Sequence, residues 1–553
     1  MVAALSCCST TNAQDAQPVA SAVLLPYAEC ARWWGNARFG LFIHWGPISL
    51  KGTEIGWSRI PGPNGGGDAR GSVPAEEYDA LYRQFNPTNF NAKDWVAVAQ
   101  AAGMKYIVFT AKHHDGFCEF DSKLTDYKIT SPESPFRRDV VKELAAACRQ
   151  AGLRFGVYYS QPDEHHPDYR QATHSRYLEY MHGQVRELLS NYGPIAVIWF
   201  DGLGGTTKDW DAERLFPMIR QLQPGILINN RCGLPGDFDT PEQEIGKFQI
   251  NRPWESCITI CQQWSWRPGD EMKSLQECLE TLVRCAGGDG NLLFNVGPMP
   301  EGRIEPHQVQ RLKEMGEWLA KNGESIYGTR GGPWKPAKAY ASTRKENTIY
   351  IHVLRWKGDS VELPALPRKI QSAVLLNDDA VKIGLARVSR PDGELIITVP
   401  PGARDANDTV VKLTVDGSAT DLPPVTPPQE VRATASNVFE HQDSEYGPQR
   451  AFDDDNETRW ATDYGTKQAW LAADLGKPHT IRRVTIREAY AGRIQKFEFQ
   501  YREGGKWRTI FSGTTLGEQF DKTFEPITAR EFRLNVIAAS EGPSINEIEL
   551  LEK

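Results

Sequence analysis

Tyr106-Ile107-Val108-Phe109-Thr110-Ala111-Lys112-His113-His114-Asp115 opens on apolar and β-branched residues and closes on charge. The run Tyr106–Thr110 predicts a buried strand. Burying Lys112 to Asp115 unpaired would be costly, so the strand is expected to end at a site. The same form recurs along the chain. Phe39–Ile43 runs into His44-Trp45, Ile195–Phe200 into Asp201-Gly202, and Gly225–Ile228 into Asn229-Asn230-Arg231. Arg154–Tyr159 and Asn291–Val296 are further strand candidates, and helix-like runs lie between them at Ala92–Ala102, Val140–Ala151, His174–Ser190 and Leu275–Arg284. This alternation over residues 26–335 predicts an α/β domain, an irregular (β/α)8 TIM-like barrel. The competing doubly wound open sheet would carry a glycine fingerprint after its first strand, and none is present.

Near Gly331-Gly332-Pro333 the pattern shifts to period two. Thr348–Leu354, Glu394–Val399 and Val410–Val415 predict a β-sandwich over 336–422. Pro423, Pro424, Pro427 and Pro428 mark a stiff linker at 423–430. A second all-β sandwich is expected over 431–553, from Arg482–Ile486, Lys496–Tyr501, Lys506–Phe511 and Glu531–Val536. Residues 1–25 are rich in small side chains and read as the end of a signal peptide, with a cleavage site around Ala13. Leu5-Ser6-Cys7 also resembles a lipoprotein box, which would place a lipid anchor on Cys7. Either reading predicts export, as a periplasmic, cell-surface or secreted protein.

Composition narrows the partners. The net charge is −8, from 63 basic and 71 acidic residues without a basic block, so nucleic acid is not an expected partner. No apolar run approaches the roughly 20 residues of a transmembrane helix. The ten cysteines stop at Cys285 and form no C-x-x-C pair, which suits buried thiols better than a zinc site. The 16 Trp residues suit sugar binding, because pyranose C–H faces pack on aromatic planes, and equally suit filled cores.

In a barrel, chemistry collects where strands end. Asp201 closes the run Val197–Phe200 and must sit at the rim, where water or ligand solvates it. His113 and His114 leave one strand together and read as paired donors to sugar hydroxyls; a metal would need a third ligand in a matching position. Gly287-Gly288-Asp289-Gly290 precedes a strand and lacks a following Lys-Ser/Thr, which excludes a P-loop. A glycosidase needs a second carboxyl group besides Asp201. Glu242, Glu244 and Glu255 are the candidates, and spacing does not choose among them.

At these residues the chain resembles the family 29 glycoside hydrolases, the α-L-fucosidases. The matching stretches are Phe39–Gly46, Ala111–Phe117, Gly156–Ser160, Ile198–Gly202, Asn230-Arg231 and Asn291–Pro298, in family order. The resemblance implies a retaining exo-α-L-fucosidase acting on terminal fucose of glycans, with no cofactor for catalysis. By motif match Asp201 would be the nucleophile and Glu242 the acid/base, with Glu255 beside Trp254 as fallback. Sugar contacts would map to His44, Trp57, His113, His114, Tyr158, Trp199 and Arg231, and Trp264 would form the wall for the fucose methyl. Trp57 follows Gly56 where the family usually has an acidic residue, which leaves the role of Glu54 open. The surroundings of Glu242 look more like the broad-specificity branch than the α-1,3/1,4-restricted one. A non-catalytic glycan-binding protein is the rival reading.

The C-terminal module resembles discoidin-like (coagulation factor type C) domains, which often bind carbohydrate. Ala451–Trp460 fits that family's calcium loop, with Asp454 where the family usually has Gly. Asp453, Asp455, Thr458 and Glu547 would supply hard oxygen ligands for a structural Ca²⁺.

Overall fold

Seven parallel strands carry the first part of the chain: β1 (Phe39–Ile43), β2 (Tyr106–Lys112), β3 (Arg154–Tyr159), β4 (Val197–Phe200), β5 (Leu227–Ile228), β6 (Glu255–Thr259) and β7 (Asn291–Val296). They line up as β5-β4-β3-β2-β1-β7-β6. Every residue in them is buried except Arg154, as strands covered on both faces require. The computed structural model describes residues 27–61, 69–202, 204–356, 358–387, 394–425, 431–453 and 458–551. It divides into two units, Met1–Gly328 and Thr329–Lys553.

The eighth position of the barrel is irregular. Between the outermost strands runs the extended segment Phe238–Glu242. It bridges Asn229, just past β5, through Phe238; Trp254, just before β6, through Asp239; and Cys257 within β6 through Glu242, all in parallel. Pro241 has no N–H to give, so the ladder there stays broken into single bridges. The fold is thus a TIM-like barrel with seven regular strands and one bridging segment, where eight repeats were expected from the sequence.

Helices precede, separate and follow the strands: α1 (Tyr27–Ala37), α2 (Ala75–Ala80), α3 (Ala92–Ala101), α4 (Val140–Ala151), α5 (His174–Asn191), α6 (Ala212–Leu222), α7 (Leu275–Gly287) and α8 (Pro306–Asn322). Their starts have chemical causes. Asp139 accepts the Lys142 N–H at the head of α4, and Ser274 with Glu277 forms a capping box on α7. Among the described residues no helix is long and apolar enough to cross a membrane.

In the second unit, antiparallel sheets of five and three strands enclose a core around Trp334, Ile351, Val361, Ile397 and Leu413. A separate core around Trp460, Leu471, Phe497, Phe499 and Leu534 lies within a seven-stranded sheet. Its longest strands, Ala469–Glu488 and Phe520–Ala539, pair antiparallel with register shifts, which mark bulges.

Candidate active site

Polar groups gather at the carboxyl ends of the barrel strands. β2 pairs with β3 out of step between Thr110 and Lys112. Such an irregularity re-aims the side chains beyond it. His113 and His114 follow at once, their rings 4.2 Å apart. Gly116, two residues on, has φ +80°, and a Cβ there would lie 2.2 Å from Asp163 Oδ1. Only glycine allows that turn. Asp163 in turn receives the buried Lys112 ammonium at 3.1 Å.

Asp201 follows β4 and is held from three sides. The Tyr158 hydroxyl donates to Oδ2 at 2.9 Å, Arg231 Nη1 to Oδ1 at 3.0 Å, and His114 Nε2 stands 3.5 Å from Oδ2. Its backbone N–H donates to Gln161 Oε1 at 2.8 Å. Burial alone would raise the Asp201 carboxyl; Arg231, His114 and the Tyr158 hydroxyl outweigh it and leave the group below its ordinary value.

Arg231 joins the two predicted acids. Its Nη1 also donates to Glu242 Oε2 at 2.6 Å. One nitrogen therefore touches both carboxylates, at 3.0 and 2.6 Å, and the two bonded oxygens can lie no farther apart than the sum, about 5.6 Å. Arg231 is itself fixed by Thr240, whose Oγ1 and backbone carbonyl each accept at 2.8 Å. The guanidinium lies over the Trp199 ring at 4.8 Å. The Asp201 side chain keeps 13% exposure and that of Glu242 keeps 42%. A cavity of about 600 Å³ opens from this pair and is lined further by Asn230, Arg231, Leu234 and Arg252.

Aromatic and imidazole rings pack around Asp201 outside the lining of that cavity. His113 stacks on Tyr158 at 5.3 Å, Tyr158 on Trp199 at 5.8 Å, and Trp264 leans on His44 at 4.8 Å. Trp57 meets the His114 ring edge-on at 5.1 Å. Burial pushes His44 and His114 each down to about 4, and His113 well below its ordinary value, so all three imidazoles are neutral at pH 7. Neutral rings present one donor and one acceptor each, which suits hydroxyl groups.

Comparison with known proteins fits this arrangement. The profile of the alpha-L-fucosidase family matches residues 5–324, more than half of the chain. The chain belongs to the α-L-fucosidase family of glycoside hydrolases. Human plasma alpha-L-fucosidase is 32% identical over 358 residues, covering 59% of this chain and 76% of that one. Alpha-L-fucosidase isoenzyme 1 from Paenibacillus thiaminolyticus superposes with TM-score 0.63 at 37% identity, over 70% of this chain and 99% of the other. A family 29 fucosidase from Bacteroides thetaiotaomicron, trapped as a covalent intermediate with 2-fluoro-fucosyl fluoride, does so with TM-score 0.63 at 27% identity, over 70% and 96%. Residues 432–550 match the F5/8 type C profile, the discoidin-like domain.

The fucosidase barrel thus brings together Asp201, Glu242, His44, Trp57, His113, His114, Tyr158, Trp199, Arg231 and Trp264. Glu255 lies elsewhere, at the start of β6 beneath Trp199. Glu54 is placed as well: it accepts the Trp264 N–H at 2.8 Å and so fixes the backbone at Trp264. Several supports were not singled out from sequence. Asn295 bonds His44 Nδ1 at 2.7 Å, Ser160 bonds His114 Nδ1 at 2.6 Å, and Gln161 Nε2 donates to the Arg231 carbonyl at 2.7 Å. Each is a polar residue within or just after an apolar run, the same signal that marked Asp201.

In the discoidin-like domain, the Thr458 hydroxyl bonds both Asp453 carboxylate oxygens at 2.9 Å, and Asn546, next to Glu547, donates to the Thr458 carbonyl at 3.0 Å. Asp455 lies outside the described residues. Among the described residues no cluster of three or more His, Cys, Asp or Glu side chains is arranged to hold a metal.

Proposed function

We propose that the enzyme removes terminal α-linked L-fucose with retention of configuration, Asp201 acting as nucleophile and Glu242 as acid/base. The carrying observation is that one Arg231 nitrogen bonds both carboxylates, which bounds the two bonded oxygens to about 5.6 Å of each other, close to the roughly 5–5.5 Å carboxyl gap of retaining enzymes. Exposure divides the roles. The enclosed Asp201 suits attack on the anomeric carbon, and the open Glu242 suits contact with a departing glycosidic oxygen. Arg231 and the Tyr158 hydroxyl favour the Asp201 anion that attack requires. A proton donor cannot stay in an ion pair, so Glu242 must leave Arg231 as the substrate arrives. In the second step the same carboxylate deprotonates water. The trapped covalent intermediate of the Bacteroides relative supports double displacement here.

The test is stereochemical. With an aryl α-L-fucoside, proton NMR should show the α-anomer of fucose forming first. Asp201→Gly with azide should yield β-fucosyl azide, and Glu242→Ala with azide the α-azide. A first-formed β-anomer would overturn the retaining reading. Broad linkage tolerance is part of the proposal, and a panel of α-1,2, α-1,3, α-1,4 and α-1,6 fucosides tests it; turnover of α-1,3 and α-1,4 linkages alone would overturn it.

Calcium at Asp453, Asp455, Thr458 and Glu547 is proposed from the hard oxygen donors and the Asp453–Thr458 contact. EDTA should lower the melting temperature and added Ca²⁺ should restore it; no change would overturn that site. Export, by a cleaved leader or an anchor on Cys7, is proposed from residues 1–25, which lie outside the described residues. Membrane fractionation of the native producer tests it, and recovery of all activity in the cytosol would overturn it.

A further inference from the structure

Glu255 is a buried acid that the proposed chemistry leaves unused. It begins β6, and the register pairs it with Asn291 at the start of β7. The carboxyl thus sits at the amino-terminal end of the barrel, while Asp201 and the histidines occupy the opposite end. It is 0% exposed. The Tyr106 hydroxyl donates to it, as does Trp199 Nε1 at 3.2 Å, and the Trp34 indole also acts on it. Burial pushes Glu255 up to about 7 in spite of these bonds.

Trp199 carries the contact upward. Its ring stacks on Tyr158 with an interplanar angle of 20°, and the Arg231 guanidinium lies over it at 4.8 Å. Tyr158 and Arg231 each donate a hydrogen bond to the Asp201 carboxylate. A buried indole N–H requires an acceptor, and turning the ring over would take Nε1 away from Glu255. The bond therefore selects one orientation of the ring.

We propose that Glu255 is a positioning residue for fucoside hydrolysis, pinning Trp199 so that its face supports Tyr158 and Arg231 against Asp201. This rests on Asp201 being the nucleophile. The role calls for an acceptor at this point and not for an exchangeable proton.

Three variants decide the matter. Glu255→Leu removes the acceptor and should lower kcat roughly 10–100-fold, with KM changed less than about threefold, since small displacements of catalytic groups cost this much. Its acid limb in the pH profile of kcat/KM should move to higher pH, because Arg231 and Tyr158 hold the Asp201 anion less well. Glu255→Gln keeps an amide oxygen for the indole N–H and an NH₂ for the Tyr106 oxygen, and should stay within about threefold of the parent rate. Trp199→Phe removes the N–H donor together with the pyrrole half of the indole and leaves a smaller aromatic face under Tyr158 and Arg231. It should reproduce the Leu phenotype, and it carries the test if Glu255→Leu does not fold. The double variant Glu255→Leu/Trp199→Phe should be no worse than about twofold below the weaker single variant, since both remove one bond.

Multiplicative losses in the double variant would overturn the proposal. So would a lowered melting temperature with kcat and the pH profile unchanged. A Glu255→Gln variant as inactive as the Leu variant would overturn it as well, because it would make Glu255 a proton donor. Failure of the nucleophile reading is separable: Asp201→Ala would then retain activity, while the coupling between positions 255 and 199 could still be measured.

Discussion

At the residue scale, Arg231 links the two acids, and its geometry explains why lysine could not replace it. The guanidinium meets Asp201, Glu242 and Thr240 at once while its Cζ stands over the Trp199 ring. A lysine ammonium is a point charge with no planar fork. Arg231→Lys should therefore lose roughly 10²–10³-fold in kcat/KM, the scale of one lost transition-state donor. Its acid limb should also move up in pH, since the cation that lowers Asp201 is less well placed. A pH–rate profile checks both. The histidines make a second prediction. His44 and His114, held near 4, should show no imidazole NMR titration between pH 5 and 8. Their folded values lie below the unfolded value of about 6.5, so the unfolded chain takes up protons first as pH falls. The stability they contribute is present above pH 6.5 and is lost as pH falls towards 4. Glu54, raised to about 7, acts in the opposite sense: its contribution is present below about pH 4.5 and is lost as pH rises through 7.

At the scale of the element, backbone constraints set the site. Gly56 has φ +68°, and a Cβ there would stand 2.6 Å from His113 Nδ1. This accounts for glycine before Trp57, where the resemblance leads one to expect an acidic side chain. Gly56→Ala should cost about 1–3 kcal/mol from backbone strain alone and displace His113. Thermal melts should show the loss of stability, and KM for an aryl fucoside should rise. An unchanged KM would mean that His113 does not touch the sugar. The strand positions β1, β3 and β7 were legible because each carries an apolar stretch, Phe39–Ile43, Phe155–Tyr159 and Leu292–Phe294. β6 was not, since Glu255-Ser256-Cys257-Ile258-Thr259 reads as mixed, and it becomes a strand because β7 supplies its ladder partners. α6 was hidden by Pro217 in its interior, where proline normally argues against a helix.

At the scale of the whole molecule, separate hydrophobic cores imply separate melting. The barrel core around Phe42, Tyr158 and Trp199 shares no residue with those around Ile351 and Phe497. Calorimetry should resolve more than one transition, with calorimetric enthalpy exceeding the van't Hoff value. One sharp two-state peak would contradict this. Loss of aryl-fucosidase activity should follow only the transition of the barrel.

Alternating apolar runs, each closed by a polar cluster, determine that this chain forms a barrel and which strand ends carry chemistry. Those signals are local, because burial forces apolar residues together along a strand and expels charge at its end. The sharing of Arg231 between Asp201 and Glu242, the Phe238–Glu242 segment in the eighth place, and the distance of Glu255 from the pocket were decided by tertiary structure alone. Each depends on which residues a closed ring of strands brings within about 3 Å, and that distance between remote segments has no counterpart in linear spacing.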